Sequence, residues 1–547
     1  MTDRYHLGDY SQLVFDAAGQ LDADSVPKRL CAHDVTLWSD DPTEIADRLA
    51  WLTLPTDVLP RISELRRFAE SVQSAGYRNI VLLGMGGSSL GPEVIRQVLG
   101  PSLNGASFPR MLTLDSTVPG WVASTTSAID PAHTLFVLSS KSGTTTEPLA
   151  FYAYFRELVN SRLGAEGAGD NFVAVTDPGT PLAEMARTER FRHAFINDPN
   201  IGGRYSVLSY FGLAPAALAG VDLERLLEPA LRMQQRCLLA DSTADNPGAW
   251  LGTAIGTLAK QGRDKLTLIA SEQMAPFGLW VEQLLAESTG KNGTGVIPVA
   301  GEPLDIARNQ GCYGDDRFFV QVRLASDDNV HTDEAVLRLR DDGHPVAVLE
   351  LSDPNDLTAE FYRWEYATAI AGHLMGIQPF DQPDVQGAKD STVAVLARYQ
   401  DEKRLARPEF DDPAHLRRLL AQSRSGDYLA IMSYLPASSA VDDAVQGLRQ
   451  KAMRKYRVAT THGYGPRFLH STGQLHKGGP DTGIFLQLTQ SHSEDIPIPG
   501  WPFSFGVLAD AQALGDLQAL QTLGRRTVSI NVGDDPARAI SEITEIL

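Results

Sequence analysis

The sequence predicts an α/β protein built on doubly wound, parallel-rich sheets in an α-β-α sandwich. Short apolar runs rich in Val, Ile and Leu recur, separated by stretches of helix length, the pattern of a sheet whose strands are parallel and covered by helices. Two of these runs, Asn79–Leu83 and Thr134–Leu138, hand over directly to small-residue loops. Finally, 547 residues with 43% apolar and 21% charged content are enough for two or three domains with a sizeable core.

In chain order, residues 1–50 read as an irregular lead-in with a few polar turns. A first α/β unit over 51–240 opens on a helix at Arg61–Gln73, followed by strands at Asn79–Leu83, Met111–Leu114, Thr134–Leu138 and Phe172–Val175. A second unit over 241–547 starts with a strand at Lys265–Ala270 and a helix running through Trp280 to Ala286. Its further strands are Phe318–Arg323, Val346–Leu351, Tyr428–Met432, Phe485–Leu488 and Thr527–Asn531. The amphipathic stretch Leu357–Met375 predicts a helix stopped by Gly376, with Pro379 just beyond. Residues 396–426 are charged and helical and predict a solvent-covered connection.

A net charge of −20 argues against a nucleic-acid partner, and an anionic substrate would need locally placed cations. No apolar run reaches membrane-spanning length, and the N-terminus shows no secretory pattern. Cys31, Cys237 and Cys312 are widely spaced, with neither zinc-ligand spacing nor a disulfide framework, which predicts a reducing cytoplasm.

The loops Gly84–Gly91 and Ser139–Glu147 follow their strands directly. Glycines let backbone approach a ligand closely, and clustered hydroxyls with helix-start N–H groups donate to an anion such as phosphate. Together the loops predict one site for a small phosphorylated molecule, although serine and threonine runs also cap helices without any ligand. Gly84-x-Gly86-x-x-Ser89 lacks the third glycine of a dinucleotide fingerprint. Gly202-Gly203-Arg204 is either a tight turn with a surface arginine or a fixed cationic fork beside a developing oxyanion. Glu287, at a glycine-bordered helix end, is either solvated or a partly desolvated general base. Lys389 follows Phe380-Asp381-Gln382-Pro383 and reads equally as a plain surface lysine. His470 and His476 are six residues apart, which does not put them on one helix face, so no metal site is predicted.

Taken together, these segments resemble the phosphoglucose isomerase family. The resemblance rests on Gly86-Gly87-Ser88, Ser140-Lys141-Ser142-Gly143-Thr144-Thr145, Gly202-Gly203-Arg204-Tyr205-Ser206, Glu287-Ser288-x-Gly290-Lys291 and Phe380-Asp381-Gln382-Pro383-x-Val385-x-x-x-Lys389. Within it, His470-Ser471-Thr472-Gly473-Gln474-Leu475-His476-Lys477-Gly478-Gly479-Pro480 resembles the isomerase half of transaldolase–isomerase fusions. The chain has no room for a transaldolase barrel before residue 80, so a stand-alone isomerase is expected. The resemblance implies two sugar-isomerase (SIS-type) domains, a hexose phosphate substrate, no metal or organic cofactor, and a cytoplasmic homodimer whose active-site histidine comes from the neighbouring subunit. It implies a phosphate clamp of Ser140, Ser142, Thr144 and Thr145 with Lys141 adjacent, and sugar contacts from Gly87, Ser88 and Gln283. Glu287 corresponds to the proton-shuttling base, Arg204 to the arginine beside the enediolate, and Lys389 to the lysine near the ring oxygen. His470 fits the ring-opening histidine better by spacing than His476.

The chain also departs from the family pattern. The histidine segment follows Phe380-Asp381-Gln382 by about ninety residues instead of preceding it, Gly143 stands where many relatives have an aromatic residue, and Asp384 replaces a common glycine. The implied activity is reversible aldose–ketose isomerisation of glucose 6-phosphate and fructose 6-phosphate through a cis-enediol, as in glycolysis and gluconeogenesis. The alternatives are a non-catalytic sugar-phosphate-binding regulator and an isomerase that also accepts mannose 6-phosphate. An amidotransferase-linked aminosugar synthase would need an N-terminal cysteine, and residue 2 is threonine.

Overall fold

The structure, a computed structural model, describes residues 3–100, 108–304, 311–405 and 409–547. Its strands are β1 (Arg4–His6), β2 (Asn79–Leu83), β3 (Arg110–Leu114), β4 (Thr134–Ser139), β5 (Phe172–Thr176), β6 (His193–Ile196), β7 (Lys265–Ala270), β8 (Ile297–Val299), β9 (Arg317–Leu324), β10 (Val346–Leu351), β11 (Tyr428–Tyr434), β12 (Ala459–Tyr464), β13 (Gly483–Thr489) and β14 (Arg526–Asn531). They form three sheets with the orders β3-β2-β4-β5-β6, β1-β10-β9-β7-β8 and β12-β11-β13-β14. Neighbouring strands are parallel except for β1, which pairs antiparallel with β10.

Parallel strands buried on both faces need apolar side chains at nearly every position, which is why the interior strands read as continuous apolar runs. In the first sheet Ile80, Leu82, Leu135 and Val137 face one core, while Val81, Leu83, Phe136 and Leu138 face another. The third sheet divides likewise, with Leu429 and Ile431 on one side and Tyr428, Ala430 and Met432 on the other. Every strand expected from the sequence is present. The four that the sequence reading omits, β1, β6, β8 and β12, all lie at sheet edges. Edge strands bury less and tolerate polar or proline residues. Accordingly β8 contains Pro298, and β12 reads Ala459-Thr460-Thr461-His462-Gly463-Tyr464.

Three expectations change. The lead-in is not irregular throughout: Arg4, Tyr5 and His6 pair with Val348, Ala347 and Val346, and Asp3 binds Arg363 at 2.9 Å. The partner strand lies more than three hundred residues away in sequence, so no local signal marks this pairing. The strands grouped after residue 241 divide between two sheets, β7–β10 with β1, and β11–β14. Finally, the stretch from 396 begins inside a packed helix, Gln386–Glu402, in which Leu396 is buried in a core. This helix lies so close to the helix Phe505–Thr522 that a methyl group on Gly515 would stand 2.5 Å from the Thr392 hydroxyl. The connection continues as a helix at Pro413–Ala421, and residues 406–408 lie outside the described residues.

The order β3-β2-β4 means that the chain leaves β2 toward one side and returns on the other. Parallel sheets bind ligands at such a reversal, beyond the carboxyl ends of the strands. Leu83 pairs with Leu138 there, so the glycine loop and the hydroxyl loop emerge side by side.

Candidate active site

The hydroxyl loop leads into the helix Thr146–Leu163, whose first turn faces the loop. Ser140 Oγ lies 2.9 Å from Thr145 Oγ1 and accepts the Gly143 N–H at 3.2 Å; Ser142 Oγ lies 3.0 Å from Thr144 Oγ1. Gly143 has φ +68°, and a Cβ there would stand 2.8 Å from the Leu182 nitrogen. Glycine at this position is therefore required by backbone conformation and by space, in place of the aromatic residue of many relatives. Ser142 and Thr144 are exposed and Ser140 is buried. The Lys141 ammonium turns away from the hydroxyls to the Asp177 carboxylate and to the Pro199 carbonyl, the latter at 2.9 Å.

The glycine loop packs mainly on protein. A Cβ on Gly87 would overlap the Gly203 carbonyl, and one on Gly86 would stand 2.8 Å from the His470 carbonyl oxygen. These glycines bring the first sheet against the Arg204 turn and against the His470 segment, so close packing on protein requires them whether or not a ligand is near. Ser88 is buried on the single turn between them.

Arg204 is buried, and its guanidinium is fully engaged. Nε donates to Ser288 Oγ at 2.8 Å, Nη1 to Gln382 Oε1 at 2.8 Å, and Nη2 to the Pro379 and Asp381 carbonyls at 2.7 and 2.9 Å. Nη1 also stands 3.3 Å from Glu287 Oε1. Glu287 is carried by the helix Phe277–Thr289, and its Oε2 accepts the Gln283 side-chain amide at 3.1 Å. The same amide donates to the His470 carbonyl at 2.9 Å, so one side chain joins the base to the histidine segment. Lys291, at the end of the same motif, binds the Asp381 carboxylate and the Asp381 carbonyl. Burial, then the Arg204 charge, pushes its ammonium down to about 8.

His470 Nε2 lies 2.9 Å from Glu147 Oε1, which also accepts the Gln512 amide at 2.6 Å. Glu147 is only 4% exposed. Burial works to raise its carboxyl, but the charge and hydrogen bond of His470 and the bond from Gln512 outweigh it and hold the group below its ordinary value. His476, by contrast, is buried against Phe485 and Phe468, and burial together with the Lys477 and Arg525 charges keeps its imidazole far below its ordinary value. The histidine at the cavity is thus His470, which meets Glu147 of its own chain.

A cavity of about 410 Å³ opens between the first and third sheets. Of the residues expected from sequence it collects Ser142, Thr144, Thr145, Lys389 and His470 in its wall. Gly87, Ser88, Ser140, Lys141 and Arg204 are not on that wall; Glu287 and Gln283 connect to it through His470. Lys389 is exposed on the helix Gln386–Glu402. The wall also holds Glu147, Gln512 and Lys477, which the sequence reading did not select. Glu147 closes the hydroxyl motif, so its signal was present. Lys477 lies within the segment His470–Pro480, and its Nζ pairs with Asp516 Oδ1 at 2.6 Å. Gln512 is one of three glutamines in the mostly apolar helix Phe505–Thr522, with nothing local to single it out. Among the described residues no three His, Cys, Asp or Glu side chains converge as metal ligands, and no helix is long and apolar enough to cross a membrane.

Comparison with known proteins adds an independent finding. The family model of phosphoglucose isomerase matches residues 55–302. The glucose-6-phosphate isomerase of Rubrobacter xylanophilus is 30% identical over 374 residues, covering 60% of this chain and 85% of that protein. Among solved structures, a hypothetical protein of Thermus thermophilus superposes with a TM-score of 0.62 at 26% identity, covering 72% of this chain and 100% of that one. A glucose-6-phosphate isomerase from Chlamydia trachomatis superposes with a TM-score of 0.60 at 18% identity, covering 75% and 89%, a likeness of fold.

Proposed function

Because the chain belongs to the phosphoglucose isomerase family, we propose that it interconverts glucose 6-phosphate and fructose 6-phosphate, the isomerisation shared by glycolysis and gluconeogenesis. The observation that carries the reading is a bonded series of residues, Arg204–Glu287–Gln283–His470–Glu147, joined by side chains except at the His470 carbonyl that Gln283 binds, which ends at the cavity beside the hydroxyl loop.

In this reading the hydroxyls of Ser142, Thr144 and Thr145 and the N-terminus of the helix Thr146–Leu163 hold the phosphate, which positions the sugar and takes no part in bond breaking. Ser140 supports the loop from below. His470, oriented by Glu147, moves a proton to or from the ring oxygen, with Lys389 also lining the cavity. In the open chain Glu287 takes the proton from carbon 2 and returns it to carbon 1. Arg204 offsets the negative charge of the enediolate without giving up its own proton. Gly87, Ser88, Gln283 and Lys141 support this geometry. The division into a first domain over 51–240 and a second from 241 belongs to the same proposal, as do the cytoplasmic setting and the homodimer. The sparse cysteines, all free, support the setting.

The test is formation of fructose 6-phosphate by purified protein in excess chelator, beside Glu287→Gln. Loss of such a base costs about 10²–10⁴-fold in rate. A fully active Glu287→Gln enzyme would remove Glu287 as the base. Complete dependence on added metal would overturn the metal-free chemistry.

A further inference from the structure

We infer that each chain completes its own active site, so that a second copy, where one binds, contributes no side chain to catalysis. The inference rests on the isomerase reading and concerns which chain supplies the histidine. Three same-chain layers of contact carry it. At the reacting end, His470 meets Glu147 at 2.9 Å, and Glu147 is held in turn by Gln512, whose Oε1 accepts the Thr117 hydroxyl at 2.7 Å. Thr117 follows β3 of the first sheet, whereas His470 and Gln512 belong to the third-sheet region.

The second layer fixes the backbone of the histidine segment. The His470 carbonyl accepts from Gln283 and lies where Gly86 has no room for a side chain. Gln474 donates to the Gly290 carbonyl at 2.9 Å and to Asp384 at 2.6 Å, and the Gly293 N–H donates to the Gly478 carbonyl at 2.9 Å. Asp384, the departure from the family glycine, therefore serves as an anchor for the relocated histidine segment.

The third layer is a buried ion pair. Arg467, three residues before His470, forks onto Asp115 with two bonds of 2.8 Å, and Asp115 has no exposed surface. Beside it Ser116 Oγ donates to the Gly465 carbonyl at 2.8 Å. Separating such a pair leaves an unpaired buried charge, which is strongly unfavourable. The junction that delivers His470 is thus built as protein interior. Placing the histidine segment about ninety residues after Phe380-Asp381-Gln382, beside a sheet of its own, lets one chain fold the segment back onto its own Glu147.

The experiment co-expresses two differently tagged inactive chains, Glu287→Gln and His470→Ala, and purifies any assembly that carries both tags. If the site lies within one chain, the mixed assembly is no more active than the two variants alone. If the histidine crosses between subunits, or the third-sheet region is exchanged between copies, one of the two sites in each mixed dimer is intact, and about half of wild-type activity returns, which overturns the inference. His470→Gln repeats the test should the alanine variant misfold. Where no mixed assembly forms, the wild-type enzyme is diluted through dissociation. Constant specific activity in the monomer supports the inference, and activity that disappears with the dimer refutes it. A wild-type protein that forms no fructose 6-phosphate fails the isomerase reading itself, a result distinguishable from all of these.

Discussion

Replacing Glu147 by glutamine removes a charge while keeping a shape. The new amide oxygen still accepts from Gln512 and His470, at positions now occupied at 2.6 and 2.9 Å, so the imidazole keeps its place. What is lost is the anion beside a histidine that carries positive charge during ring opening. At about 4 Å between charge centres and an effective dielectric constant of about 20, that anion is worth about 4 kcal/mol. His470 is 23% exposed, and solvent screening reduces the realised amount to about 2–3 kcal/mol. The expected fall in kcat/KM on ring-closed hexose phosphate is roughly 30- to 150-fold. The assay pairs this with a four-carbon aldose phosphate whose phosphate blocks ring closure. That substrate needs only the Glu287 proton transfer, so the variant should lose no more than about threefold on it. An equal loss on both substrates would show that Glu147 acts on the fold or on Glu287, and would refute its role through His470.

Three further outcomes are expected. Glu282, 9% exposed on the helix that carries Glu287, has its carboxyl pushed up to about 8 by burial, against the lowering charges of Arg449 and Arg467. The folded state thus keeps a proton that the unfolded chain loses near pH 4.5, and stability falls as pH rises from there to about 8. Glu282→Gln, which cannot ionise, should gain thermal stability over wild type across that window, with a ceiling of about 5 kcal/mol at pH 8; parallel melting-against-pH curves for the two proteins would exclude it. Gly143→Ala places a side chain at φ +68° and 2.8 Å from the Leu182 nitrogen, a strain of about 1–3 kcal/mol that opens the hydroxyl loop. Steady-state kinetics should show KM rising about tenfold or more with a smaller change in kcat. Arg204→Lys cannot reproduce a fork that reaches Ser288, Gln382 and two carbonyls while facing Glu287, and should cost about 10²-fold or more in kcat/KM; retention of full activity would remove Arg204 from charge stabilisation.

The sequence by itself determined the α/β class, the interior strands of all three sheets and the two loops at the first sheet's reversal. Each of these is written in local pattern: a strand buried on both faces must be apolar throughout, and a strand-to-helix turn beside a ligand needs small and hydroxyl-bearing residues. The helix Leu357–Met375 was legible to its ends because Gly376, at φ +70°, caps it. Only the tertiary structure decided what those patterns leave open. The edge strands follow from pairing partners rather than from their own composition, as β1 does against β10. The glycines of Gly84–Gly91 serve close packing on Gly203 and His470, because backbone approach to protein and backbone approach to ligand demand the same residue. Lys141 turns to Asp177, Gln512 enters the site from an apolar helix, and Lys477 turns to Asp516. None of these has a local signature, since each depends on which distant carboxylate or carbonyl stands within hydrogen-bond distance once three sheets have packed together.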